Sequence, residues 1–149
     1  MHIKEQQKAV NEMARVTQKN GVVLATMEPD HAGYLSYPEN TAHSYFIRNL
    51  EEKGSDSRMG RKLKYLFCNA GLSTEIGITA HDIDIMNTDP GEALEHFLHY
   101  FQFSQKNLRK YGWTKEEIET YKQEQIRLIE SNLYFMFLPV FYAIGRKKA

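Results

Sequence analysis

The chain has 149 residues, long enough for one domain with a sizeable core, and its 19 basic and 19 acidic side chains cancel to a formal net charge of zero. That balance argues against a nucleic-acid or anionic-membrane partner and against a substrate of strongly one-sided charge. The single cysteine, Cys68, excludes an internal disulfide, and its place beside Leu66 and Phe67 reads as a buried structural thiol in a reducing compartment.

The N-terminal residues Met1, His2, Ile3, Lys4, Glu5 and Gln6 lack the apolar core of a signal peptide. Ala9, Val10, Met13, Ala14 and Val16 then recur at roughly helical spacing, ahead of a turn over Thr17, Gln18, Lys19, Asn20 and Gly21. The apolar run Val22-Val23-Leu24-Ala25-Thr26-Met27 follows as a short strand, closing on Glu28-Pro29-Asp30. Residues 29–40 hold two prolines, Gly33, His31, Tyr34 and Tyr37 and read as a loop. Its place at the carboxyl end of a strand is where open α/β sheets bind ligands.

A helix over residues 39–52 carries Tyr45, Phe46 and Leu50 as its apolar positions, and Gly54-Ser55-Asp56-Ser57 breaks it. Ser57 is placed to cap a helix over 58–70, with Gly71 as its left-handed terminator. The alternation over 73–79 predicts a strand with one buried face. Two helices fill residues 89–131. Asp89-Pro90 opens the first, whose stripe is Leu94, Phe97, Leu98, Phe101 and Leu108, and Gly112-Trp113 ends it. Thr114 and Glu117 form a capping box for the second, which offers Ile118, Tyr121, Ile126, Leu128 and Ile129. Residues 134–144 read as a final buried strand, and Arg146-Lys147-Lys148 as a solvated tail. The longest apolar run, 133–144, contains Pro139 and falls short of the ~20 residues that span a bilayer, so no membrane segment is predicted and a cytoplasmic location is expected.

Arg15-Val16-Thr17-Gln18-Lys19-Asn20-Gly21 and the strand after it resemble the fifth-strand region of class I S-adenosylmethionine-dependent methyltransferases, with Asn20-Gly21 in place of the usual Pro-Gly. Gly60-Arg61-Lys62-Leu63, Leu66-Phe67 and Asn69-Ala70-Gly71-Leu72 resemble the family's next helix, and Tyr142 to Lys147 the end of its seventh strand. The likeness covers roughly positions 5 to 147, but only the family's second half. The family holds its cofactor mainly through a Gly-rich turn after the first strand, and no Gly-x-Gly-x-Gly occurs here.

The resemblance implies an α/β chain with a partial Rossmann-like fold: a small mixed three-stranded sheet, flanked by helices, whose last strand lies antiparallel between the other two. It implies a single domain over 1–149 with a helical insertion at about 89–131. The implied activity is methyl transfer from S-adenosylmethionine to a small-molecule acceptor, with this chain supplying the acceptor side and standing incomplete or inactive alone. In a whole enzyme a fourth strand would cover the outer edge of Val22 to Met27. That edge is therefore expected to be met by another copy, giving a homo-oligomer, or by a missing N-terminal half.

Methyl transfer rests on positioning, with a general base for reluctant acceptors. Glu28 and Asp30, at the end of the first strand, are candidates to orient substrate or accept a proton, with His31 as the alternative base; a plain strand terminator is the competing reading. Tyr34, Tyr37 and Tyr45 are candidate pocket walls, and Trp113 a lid hinge or contact, against ordinary packing. His96 and His99 with Glu92 and Glu95 have metal-ligand chemistry at helical spacing but read as a solvated stripe, and no metal is predicted. His81-Asp82 and His43 carry weaker signals of the same kind. The alternative to an enzyme is a non-catalytic interaction or oligomerisation module built on the same fold.

Overall fold

The computed structural model describes residues 3–79, 81–87 and 89–149; Met1 and His2 of the N-terminal segment read above lie outside the described residues. The protein is α/β, with helices and antiparallel sheets in two compact units. The first gathers the described parts of 1–33, 50–80 and 138–149, and the second those of 34–49 and 81–137.

In the first unit, helix α1 (Gln6–Val16) buries Val10 and Ala14, one turn apart, against helix α3 (Met59–Asn69), which buries Leu63, Leu66 and Phe67. Both helices pack on a sheet of β1 (Val22–Pro29), β5 (Val140–Lys147) and β3 (Leu72–Thr79), in the order β1-β5-β3. Val23, Ala143 and Leu72 bring the sheet's side of this core. The last strand lies between the other two, as expected. Both its ladders are antiparallel, so the sheet is wholly antiparallel rather than mixed. Among the described residues β1 pairs only with β5, which leaves its other edge at the sheet's border.

Local signals in this unit are met unevenly. Gly71 takes φ +79° after α3, while at the turn before β1 the left-handed residue is Asn20, at φ 63°, and not Gly21. Ser57 does not cap α3: its Oγ bonds Glu51, and Asp56 Oδ1 accepts the Arg58 amide instead. Cys68 is exposed, contrary to expectation, because the buried stripe of α3 runs through Leu63, Leu66 and Phe67 and turns Cys68 outward with Lys64 and Tyr65. Nor is the basic end a free tail. Lys147 Nζ donates to the carbonyls of Ala14, Arg15 and Thr17 at 2.8, 3.2 and 2.7 Å, satisfying orphan acceptors at the negative end of α1.

The stretch 29–40, divided between the units at residue 34, proves more structured than a loop. It holds a 3-10 turn (His31–Gly33), which belongs to the first unit, and then β2 (Leu35–Tyr37), paired antiparallel with β4 (Phe135–Phe137). The stretch 134–144 is accordingly two strands, β4 and β5, in different sheets. Pro139 stands between them, where its missing N–H cannot continue a ladder. Asn40 Oδ1 accepts the Ala42 amide and opens α2 (Ala42–Glu52); the divide between the units falls within this helix. A short helix, α4 (His81–Met86), precedes α5 (Pro90–Lys110) and α6 (Lys115–Glu130). Asp89 caps α5 by accepting Gly91 N at 2.6 Å, and the Thr114–Glu117 capping box is present in full. Ala42, Phe101, Leu108 and Ile118 form the core, with Tyr45, Phe97, Trp113 and Tyr121 packed around it.

Candidate functional site

The sequence candidates fall into two constellations, one in each unit. At the carboxyl end of β1, Glu28 is half-buried and lies opposite Phe141 in the ladder. Asp30 is 2% exposed, and Arg61 of α3 grips both of its oxygens: Nε to Oδ2 at 2.5 Å and Nη2 to Oδ1 at 2.8 Å. The hydrogen bond to Asp30 raises the Arg61 pKa above its ordinary value. The backbone is tied as well. Asp30 N donates to Pro139 O, Gly33 N to Asp30 O, and Ala32 N to Ser57 O. His31 is buried within this turn. Asp30 thus works as the anchor of the 3-10 turn, with its lone pairs already directed at a guanidinium.

Gly60 makes that grip geometrically possible. A Cβ at this position would stand 2.6 Å from the Phe141 ring and 2.7 Å from the Glu28 carbonyl oxygen. Only a bare Cα lets the first turn of α3 sit this close to the end of β1 and aim the next residue, Arg61, at Asp30.

In the second unit, the Tyr34 and Tyr134 hydroxyls share a hydrogen bond of 3.2 Å, and Asn40 Nδ2 donates to Tyr34 at 3.4 Å. Tyr121 OH donates to Asn40 Oδ1 at 2.9 Å, and Asn40 N donates to Ser36 Oγ. His43 stacks on Tyr34 with ring centroids 3.9 Å apart. Through its ring, Tyr121 also meets Trp113 edge-on at 5.9 Å, and Trp113 meets Tyr45 at the same centroid distance. One network therefore joins Tyr34, Tyr45 and Trp113. Tyr37 is left out of it, 76% exposed on β2. Burial pushes the Tyr121 and Tyr134 phenols up, so these two hydroxyls are suited to hydrogen-bonding and stacking, not to proton abstraction.

Asn40, Tyr121 and Tyr134 were not singled out as site residues from sequence. Tyr121 counted only as a member of an apolar stripe and Tyr134 as strand; their partners lie 81 and 100 residues away. Asn40 carried the one legible signal, a capping-type residue just ahead of a helix.

The remaining polar clusters have structural explanations. Asp56 heads an open cleft of about 680 Å³ with Lys4, Arg58 and Lys62. Burial opposes its charge, but hydrogen bonds from Lys62, the Arg58 amide and Gln6 outweigh that and hold the carboxyl at about 2. His96 packs against Tyr100 and His81, and burial lowers its pKa. Among the described residues no group of three His, Cys, Asp or Glu side chains is placed to hold a metal ion, and no helix is long and apolar enough to cross a membrane.

The residues present do not fit S-adenosylmethionine as its principal binding elements. Asp30, the acidic residue ending β1, is consumed by Arg61, and Gly33 offers no open backbone cradle, since a Cβ there would lie 3.3 Å from both Arg61 and Pro139. No protein-family model matches the chain, and no curated protein matches it.

Proposed function

We propose that this chain is the acceptor-side half of a class I S-adenosylmethionine-dependent methyltransferase, acting on a small-molecule acceptor, with the cofactor-binding elements supplied from outside these residues. The observation that carries the reading is the placement of β5, antiparallel between β1 and β3, which is the strand arrangement the resemblance implies for the family's second half. Gly60 and Arg61, two residues of the resembling motif, add support, since together they seat α3 on the end of β1. In this reading the Tyr34–Asn40–Tyr121–Tyr134 network and the Tyr45–Trp113 pair bind the acceptor through ring faces and hydroxyls. In the first unit, Asp30 is a positioning residue for the turn that carries His31. The exposed free thiol of Cys68 suits a reducing cytoplasm.

The test is a chimera in which the cofactor-binding half of a characterised class I methyltransferase precedes Gln6. With a panel of small-molecule acceptors, the reading predicts acceptor-dependent formation of S-adenosylhomocysteine that falls when Tyr34 and Tyr121 are changed to Phe. A folded chimera that binds the cofactor yet turns over no acceptor would count against it. The competing reading, a non-catalytic interaction module, draws on the open edge of β1.

A further inference from the structure

β1 is a border strand whose outward side is apolar and unprotected. Val22, Leu24 and Met27 are 41%, 58% and 69% exposed. Residues 21–27 contain no charged side chain, and no proline intervenes before Pro29. The opposite border, β3, carries an exposed Glu75 in mid-strand, the kind of charge that discourages edge-to-edge pairing. The two edges are therefore unequal. One resists a new strand, while the other presents alternate backbone amides and carbonyls flanked by exposed aliphatic side chains.

The charges at the ends of β1 say which strand it takes. Lys19 stands in the turn before the strand and Glu28 near its end. A parallel copy would set like charges side by side. An antiparallel copy sets the basic end of each strand beside the acidic end of the other, with the uncharged segment in the middle. An antiparallel pair about a two-fold axis normal to the sheet also keeps the same sheet face uppermost in both copies. With the axis near Leu24, the two Leu24 side chains become neighbours on the face opposite the Val23–Ala143–Leu72 core.

We propose that the 149-residue chain forms a two-fold dimer by antiparallel pairing of β1 with β1 of a second copy, joining two three-stranded sheets into one of six. This goes beyond the methyltransferase reading. A strand from a cofactor-binding half would compete for the same edge, so the dimer is the state of the chain in the absence of that half.

The experiment is light scattering coupled to size exclusion on the full chain at high micromolar concentration, with Leu24→Lys and Thr26→Lys alongside. The wild type is expected at twice the chain mass. Both lysine variants are expected at the mass of one chain, with unchanged far-ultraviolet circular dichroism; two positions are used so that one can fail to fold without removing the test. In a Cys68→Ser background, Leu24→Cys should form a disulfide-linked dimer on mild oxidation, because the paired Leu24 positions fall within disulfide reach. A wild-type chain that stays monomeric overturns the proposal. So does a dimer that survives both folded lysine variants, or a Leu24→Cys chain that resists cross-linking.

Discussion

Adding one methyl group at Gly60 pits helix propensity against packing, and the structure decides which prevails. Gly60 is the second residue of α3, where Ala is intrinsically favoured by up to about 1 kcal/mol. The new Cβ would meet the Phe141 ring at 2.6 Å, the Glu28 carbonyl oxygen at 2.7 Å and Asp30 Cβ at 3.2 Å. The Phe141 ring can tilt, but the Glu28 carbonyl is backbone of a residue paired with Phe141 and cannot retreat without shifting β1 itself. α3 must move away from the sheet, which loosens Leu63 and Phe67 in the core and lengthens the Arg61–Asp30 bonds. Overpacking of this kind costs about 1–3 kcal/mol; taken near its upper end and reduced by the propensity gain, the net loss is about 2 kcal/mol. For a chain of this size that corresponds to a fall in Tm of roughly 4–8 °C. Urea unfolding followed by circular dichroism, with thermal melts in parallel, measures it. A Gly60→Ala chain as stable as the wild type, or more so, would refute the argument that a bare Cα seats α3 on the end of β1.

Asp30→Asn keeps the shape of the buried anchor but sets an amide against the guanidinium, and should lower stability by about 2 kcal/mol in urea through loss of charge-assisted hydrogen bonding. Asp56 is held at about 2, below its ordinary 3.8, so its contribution is complete above 3.8 and lost as the pH falls through 2. Urea midpoints measured across that window should fall less steeply in Asp56→Asn than in the wild type; equal slopes would contradict the Lys62, Arg58 and Gln6 bonding. Tyr121→Phe removes one buried hydroxyl from Asn40, whose Oδ1 keeps the Ala42 amide, and should cost about 1 kcal/mol. A cost indistinguishable from zero would mean that the network does not hold the second unit together.

What was legible in the sequence was local or carried by a family likeness. Thr114 and Glu117 are three residues apart and satisfy each other's backbone, and Gly71 takes the left-handed turn that no side chain favours, so both could be read in passing. The position of the last strand between the other two came from the likeness, since apolar spacing alone does not order strands. The misreadings share a cause, partners distant in the chain. Nothing near Lys147 reveals that its ammonium will meet Ala14, 133 residues away, and nothing near Phe135 reveals that it pairs with Tyr37. A single proline within an aromatic run can mark one bent strand or two strands in two sheets, and only the partners decide. The site candidates divided in the same way. Tyr34, Tyr45 and Trp113 entered one aromatic and hydroxyl network because Tyr121 bridges them, whereas Asp30, chosen for its place at a strand end, is bound by an arginine 31 residues on.

The most direct measurement is calorimetric titration of S-adenosylhomocysteine into two samples: the chain alone, and the chain fused behind the cofactor-binding half of a class I methyltransferase. The account predicts no saturable heat from the chain alone and micromolar binding by the fusion, because the proposed reading assigns these residues to the acceptor side of a cleft and its cofactor elements to residues outside them. Tight binding by the chain alone, or none by a folded fusion, would contradict it.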